Sequence, residues 1–181
     1  MNGCLKCICY LALVGILSFF MGRILPAKWF SYDKFPYRMW KWEKNGTLYR
    51  RLGVHKWKEK FPDMSVILPG ILPSKRLPKD MDASCAERMV QETCIAELIH
   101  GLLCFAGLAC MFLWKGLGGI CISALYVLGN LPYCVIQRYN RPKLVKILKN
   151  LKTKEIYKGR TKQEGVYEEC TDLKLQYGAR A

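Results

Sequence analysis

Apolar positions in this chain fall into long blocks and not into amphipathic periods, a pattern that belongs to helices buried in lipid on every side. The first block covers residues 7–21. It is slightly short for a bilayer unless the residues on either side extend it into the interfaces. A second helix is predicted over about 85–114, with no proline until Pro132 and a capping box at Ser84-Cys85-Ala86-Glu87. At 1.5 Å per residue it would be roughly 45 Å long, so its first turns stand outside the membrane. Lys115-Gly116 and Gly118-Gly119 make a tight turn into a third block, 117–136. An amphipathic helix is expected over 143–151, then disorder.

Between the first two blocks the pattern changes. Trp29, Phe30, Tyr32, Phe35, Tyr37, Trp40 and Trp42 are interleaved with Lys28, Lys34, Arg38, Lys41 and Lys44, a mixture suited to the headgroup layer. Residues 49–60 are dense in cations and suit either a phosphate group or an anionic lipid surface. Residues 64–72, between prolines, are too short to span and read as an interfacial or re-entrant connector. The prediction is an all-α integral membrane protein with about three transmembrane helices and an interfacial aromatic and basic segment. It divides into an anchor, 1–22, a basic segment, 23–83, a membrane hairpin, 84–151, and a disordered tail, 152–181.

Charge sets the orientation. Residues 23–94 carry fifteen Lys or Arg and residues 137–181 carry twelve, against only Lys6 before the first span and Lys115 in the hairpin turn. The positive-inside rule therefore puts both rich segments in the cytoplasm, in a multi-pass protein of the cell membrane. A net charge of +15 beside apolar blocks fits anionic lipid or a phosphorylated substrate better than nucleic acid. Ten cysteines lie largely within apolar stretches, where a thiol packs as a small hydrophobe, so no disulfide framework is expected. Cys4-x-x-Cys7 has no partner motif for metal, and no cofactor is implied.

The candidate chemistry lies where the two hairpin helices meet the cytoplasmic face. Glu97 and His100 sit three apart at the mouth of the second span, where ionisable groups are costly to bury. The third span leaves the membrane at Gln137-Arg138-Tyr139-Asn140-Arg141-Pro142, with Asn130 two turns deeper, about 10 Å. Antiparallel packing brings these together as a polar pocket on the cytoplasmic leaflet. A base, a carboxylate, amides and cations are enough to take a proton from a hydroxyl and stabilise an oxyanion. His55 reads as surface, and Cys94 and Cys104 as packing residues.

These residues resemble the glycosyl-4,4'-diaponeurosporenoate acyltransferase family, small membrane enzymes of staphyloxanthin-type carotenoid synthesis. The likeness rests on Val54, Lys56-Trp57-Lys58, Asp63, Glu92-Thr93, Ala96-Glu97-Leu98-Ile99-His100, Asn130-x-Pro132 and the motif from Gln137 to Pro142. It implies transfer of a fatty acyl group to a sugar hydroxyl of a glycosylated terpenoid or other glycolipid. On that reading His100 is the base and Glu97 orients it. Asn130, Gln137 and Asn140 hold sugar or oxyanion, and Arg138 and Arg141 join Lys56, Trp57 and Lys58 in binding substrate. The donor is a fatty acyl carrier: coenzyme A, acyl carrier protein or acyl phosphate. Two alternatives use the same residues, a non-catalytic membrane adaptor holding anionic lipid or a partner, and another lipid-modifying transferase such as a methyltransferase.

Overall fold

The structure, a computed structural model, describes residues 2–61 and 80–178. The connector expected over 64–72, together with Asp63, lies outside the described residues. Among those described, the chain is helical with no strand. Helix α1 spans Gly3–Ile24, α2 Thr47–Arg51, α3 Val54–Trp57, α4 Ala83–Leu108, α5 Cys110–Leu113 and α6 Leu117–Gly178. Three helical stretches are long and apolar enough to cross a membrane: Gly3–Ile24, Ala83–Leu113 and Leu117–Lys158. The all-α membrane fold expected from the block pattern is therefore the one observed.

Helix α1 gains its length from both flanks of the apolar block, and its 22 residues extend about 33 Å, enough for the hydrocarbon layer. Helix α4 starts two residues earlier than the Ser84 capping box implies. Its N-cap is Asp82, whose carboxylate accepts from the Cys85 amide at 2.8 Å and from Ser84 Oγ at 3.0 Å. A carboxylate at this end also meets the positive pole of the helix, which a serine hydroxyl does not. The predicted single helix over 85–114 is interrupted at Ala109, between α4 and α5. Helix α6 passes through Pro132 and Pro142. Where the sequence predicts a short helix and then disorder from residue 152, its backbone continues helical to Gly178.

The three long helices pack antiparallel in turn. Down α4 and up α6, the bridges run from Ser123 Oγ to the Gly107 carbonyl at 2.9 Å, through His100 to Asn130 at 3.0 Å, to Arg141 and Thr93. From the first bridge to the second the contacts move seven positions, about two turns, on each helix, so one face of α4 stays against one face of α6. Helix α1 meets α4 in the same opposed sense, with Tyr10 Oη donating to the Ala106 carbonyl at 3.1 Å and Gly22 beside Ile99. Leu13, Ile16, Leu17, Phe105, Leu125 and Leu128 point outward and are exposed, a surface suited to lipid tails.

The segment between α1 and α4 is folded back onto the hairpin. Phe30 and Tyr37 pack with Cys94 and Ile95 of α4. Tyr49 and Val54 pack with Tyr139 of α6. Gly46 enables the second contact: its backbone has φ +88°, and an added Cβ would lie 3.1 Å from the Pro142 ring. Farther along α6, Leu148 closes against Ala83, Ala86 and Val90.

At the other end the hairpin closes around Trp114. A Cβ added to Gly119 would stand 2.0 Å from the Trp114 carbonyl oxygen, a backbone atom that cannot rotate aside. Gly15 has nothing within 4 Å of an added Cβ. Gly119→Ala is expected to destabilise the protein by about 1–3 kcal/mol through forced backbone movement. Gly15→Ala should be neutral or stabilising by up to about 1 kcal/mol through helix propensity. Thermal unfolding of the two variants in detergent, compared with the parent, measures the contrast.

Candidate active site

Arg138 and Arg141 lie three apart on α6, so both project toward α4 and the folded-back segment. Arg141 is 1% exposed and uses its whole fork: Nε donates to Thr93 Oγ1 at 3.0 Å, Nη1 to the Tyr37 carbonyl at 2.9 Å, and Nη2 to the Thr93 carbonyl and to Glu97 Oε2. Arg138 Nε donates to the other Glu97 oxygen at 2.6 Å, Nη1 to Glu43 Oε1 at 2.8 Å, and Nη2 to the Pro36 carbonyl at 2.7 Å. Glu43 is fully buried, and it also accepts from Tyr49 Oη and from the Trp40 amide. Two carboxylates and two guanidinium groups thus form one charge-balanced network joining α4, α6 and the interfacial segment.

Glu43 carries no warning in the sequence beyond being an acid within a basic, aromatic run. Burial alone pushes its carboxyl up. The hydrogen bonds from Tyr49, the Trp40 amide and Arg138, together with the Arg138 charge, outweigh burial and hold it below its ordinary 4.5. The same contacts act oppositely on the phenol: burial and the Glu43 carboxylate raise the Tyr49 pKa.

One turn deeper, His100 Nδ1 is 3.0 Å from Asn130 Oδ1. The Asn130 amide is fixed from its other end, Nδ2 donating to the Tyr126 carbonyl at 3.0 Å. With Oδ1 facing the imidazole, Nδ1 must carry the proton, and the neutral ring has its lone pair on Nε2. Tyr133 stacks on the imidazole, centroids 4.6 Å apart and planes within 10°. Phe61 packs edge-on against Tyr133, and Trp57 against Phe61. An aromatic series therefore leads from the basic segment to the histidine.

All but two of the residues selected from sequence fall into three groups. His100 and Asn130 are in direct contact. Glu97, Arg138 and Arg141 form the ionic network, so Glu97 meets guanidinium groups where it was expected to orient the imidazole, and Asn130 holds that ring. Gln137, Asn140 and Lys58 line a cavity of about 280 Å³ between α4 and α6, with Thr93 and Glu92 on its other wall. Trp57 belongs to the aromatic series, and Lys56 is exposed away from that cavity.

The family model described as glycosyl-4,4'-diaponeurosporenoate acyltransferase matches residues 26–150, which contain the hairpin, the network and the folded-back segment. The chain belongs to the glycosyl-4,4'-diaponeurosporenoate acyltransferase family. A member from Staphylococcus aureus strain Newman is 31% identical over 137 residues, covering 74% of this chain and 81% of that protein. Those of strains bovine RF122 / ET3-1 and N315 are each 30% identical over 135 residues, covering 73% of this chain and 79% of the relative. No solved structure matches. Membership makes the chain an acyltransferase and sets aside the adaptor reading. The family match begins well before Val54, the first residue of the motifs read from sequence, and so includes Tyr37, whose carbonyl binds Arg141.

Because the Glu43 carboxyl is held low in the folded protein, its stabilising contribution is complete above about pH 4.5 and is lost as pH falls through the lowered value. Glu43→Gln is expected to cost about 1–3 kcal/mol at pH 7. It should also flatten the acid limb of the stability curve, recorded as melting temperature against pH in detergent. Parallel parent and variant curves would remove Glu43 from the acid response.

Proposed function

We propose that the chain esterifies a sugar hydroxyl of a glycosylated terpenoid acid, or a related glycolipid, with a fatty acyl group at the cytoplasmic leaflet. Three observations support this. The relatives are named for glycosyl-4,4'-diaponeurosporenoate, a glycosylated acceptor that offers sugar hydroxyls. The orientation follows from the excess of Lys and Arg on the segments that flank the site. His100 lies 14 residues, about 21 Å, from Trp114 at the hairpin end, which leaves it about 9 Å below the opposite face of a layer about 30 Å thick, within reach of a chain entering from that face. Both lipid tails then stay in the membrane while hydroxyl and carbonyl meet at its edge.

The observation that carries the reading is the Asn130 amide, anchored on the Tyr126 carbonyl and bonded to His100 Nδ1. His100 Nε2 takes the proton of the acceptor hydroxyl as its oxygen attacks the acyl carbonyl carbon. The tetrahedral intermediate then collapses, the bond to the carrier breaks, and the imidazolium returns the proton to the departing group. Asn130 keeps the ring in the required tautomer, as an orienting carboxylate does elsewhere. Glu97, balanced by two guanidinium groups, shapes the wall beside the imidazole. Gln137 and Asn140 face the neighbouring cavity, where sugar hydroxyls find amide partners.

Purified protein given labelled acyl donor and a glycolipid acceptor tests the assignment. His100→Ala is expected to lower turnover about 10²- to 10⁴-fold, the range for loss of a general base, with its melting temperature kept. Asn130→Ala should cost less, because the base remains while its orientation is lost. Full turnover by folded His100→Ala would contradict the mechanism.

A further inference from the structure

A second cavity opens away from the histidine pair and meets the ionic network at Arg141. It is a cleft of about 950 Å³ between the folded-back segment and the part of α6 beyond Pro142. Arg38, Arg50 and His55 line one side, and Lys146 and Lys149, three apart on α6, line the other. All five side chains are exposed residues, and among the described ion pairs none of them meets a carboxylate. The one acid in the lining, Asp33, accepts from the Ser31 hydroxyl. Cations that converge without carboxylate partners repel one another and favour a polyanion.

We propose that this cleft binds the phosphorylated nucleotide end of a coenzyme A thioester, which is the acyl donor. The proposal rests on the acyltransferase reading above and names the donor class that the reading leaves open. Arg138 and Arg141, the cations first expected to hold donor phosphate, have their forks filled by Glu97, Glu43, Thr93 and backbone carbonyls. Cations without such partners are found farther out, on this cleft.

Distance selects among carriers. Arg141 forms part of the cleft wall, and along α6 it lies 11 residues from Asn130, about 16 Å. An acyl phosphate has its reacting carbonyl bonded directly to phosphate, so one held in the cleft cannot present that carbonyl to His100. A phosphopantetheine thioester separates the two by an extended arm. Charge and volume then favour the nucleotide carrier. Coenzyme A bears a diphosphate and a further ribose phosphate, matching several convergent cations, whereas the arm on a carrier protein bears one phosphodiester. A cleft of this volume is also within the range that encloses a small-molecule ligand.

Isothermal titration of the full-length protein in detergent with coenzyme A itself tests the site. The parent is expected to bind, and the double variant Arg50→Ala with Lys146→Ala to bind at least tenfold more weakly. Lys28→Ala with Lys154→Ala, which removes the same two charges from exposed sites outside the cleft, should bind within twofold of the parent. Because both cleft side chains are exposed, the melting temperature of the double variant should stay near the parent's. If it falls, Arg50→Gln and Lys146→Gln measured singly should each weaken binding at least twofold. No binding by the parent, or equal binding by the cleft variants, overturns the proposal. So does binding of phosphatidylglycerol micelles with the same variant sensitivity when coenzyme A does not bind, which assigns the cleft to lipid headgroups. Ester formed from acyl carrier protein by a parent that does not bind coenzyme A would refute the donor and leave the acyltransferase reading standing. Coenzyme A binding lost in the double variant, with no ester from any donor, would do the reverse.

Discussion

Two guanidinium groups one turn apart on a membrane helix must find two carboxylates, and the rest of this structure depends on how they do. A buried charge that loses its partner costs several kcal/mol, so neither Arg138 nor Arg141 can be left facing the helix interface alone. One carboxylate, Glu97, comes from the adjacent span and divides its oxygens between them. The other, Glu43, comes from the segment between the first two spans. Meeting the charge requirement therefore pulls a basic, aromatic segment down onto the hairpin, where Tyr37, Tyr49 and Val54 complete the packing.

That docking gives the site its form. With the segment in place, Trp57 and Phe61 reach Tyr133, which stacks on His100, and the imidazole is held by an amide from one side and an aromatic ring from its face. The same docking creates the cationic cleft, one wall of which is the segment and the other the continuation of α6. The aromatic cover of His100 and the cleft are thus two consequences of one ionic arrangement, and Arg141 belongs both to the network and to the cleft wall.

The spans, their order and their antiparallel packing were legible because lipid imposes a block pattern that needs no tertiary information. That His100 and Asn130 share one pocket was legible for a related reason, since antiparallel packing fixes which levels meet. Glu43 was not, because its partner Arg138 is 95 positions away and the intervening sequence records nothing of their meeting. Its absence from the reading is why Arg138 and Arg141 were taken as cations awaiting a substrate. The role of Asn130 follows the same pattern: a carboxylate three residues from a histidine suggests a pair, but the two arginines claim Glu97 first, and charge–charge attraction outweighs a neutral hydrogen bond. His55 reads as surface and is exposed, but only the folded-back segment puts it on a cleft with Lys146 and Lys149.

A double-mutant cycle between Glu43 and Arg138 addresses most directly the claim that this network organises the molecule, with melting temperature and acyl transfer both recorded. Glu43→Ala and Arg138→Ala should each lower both quantities, and the combined variant should be little worse than the poorer single variant, because both changes break one unit. Strictly additive losses in melting temperature and turnover would contradict the account.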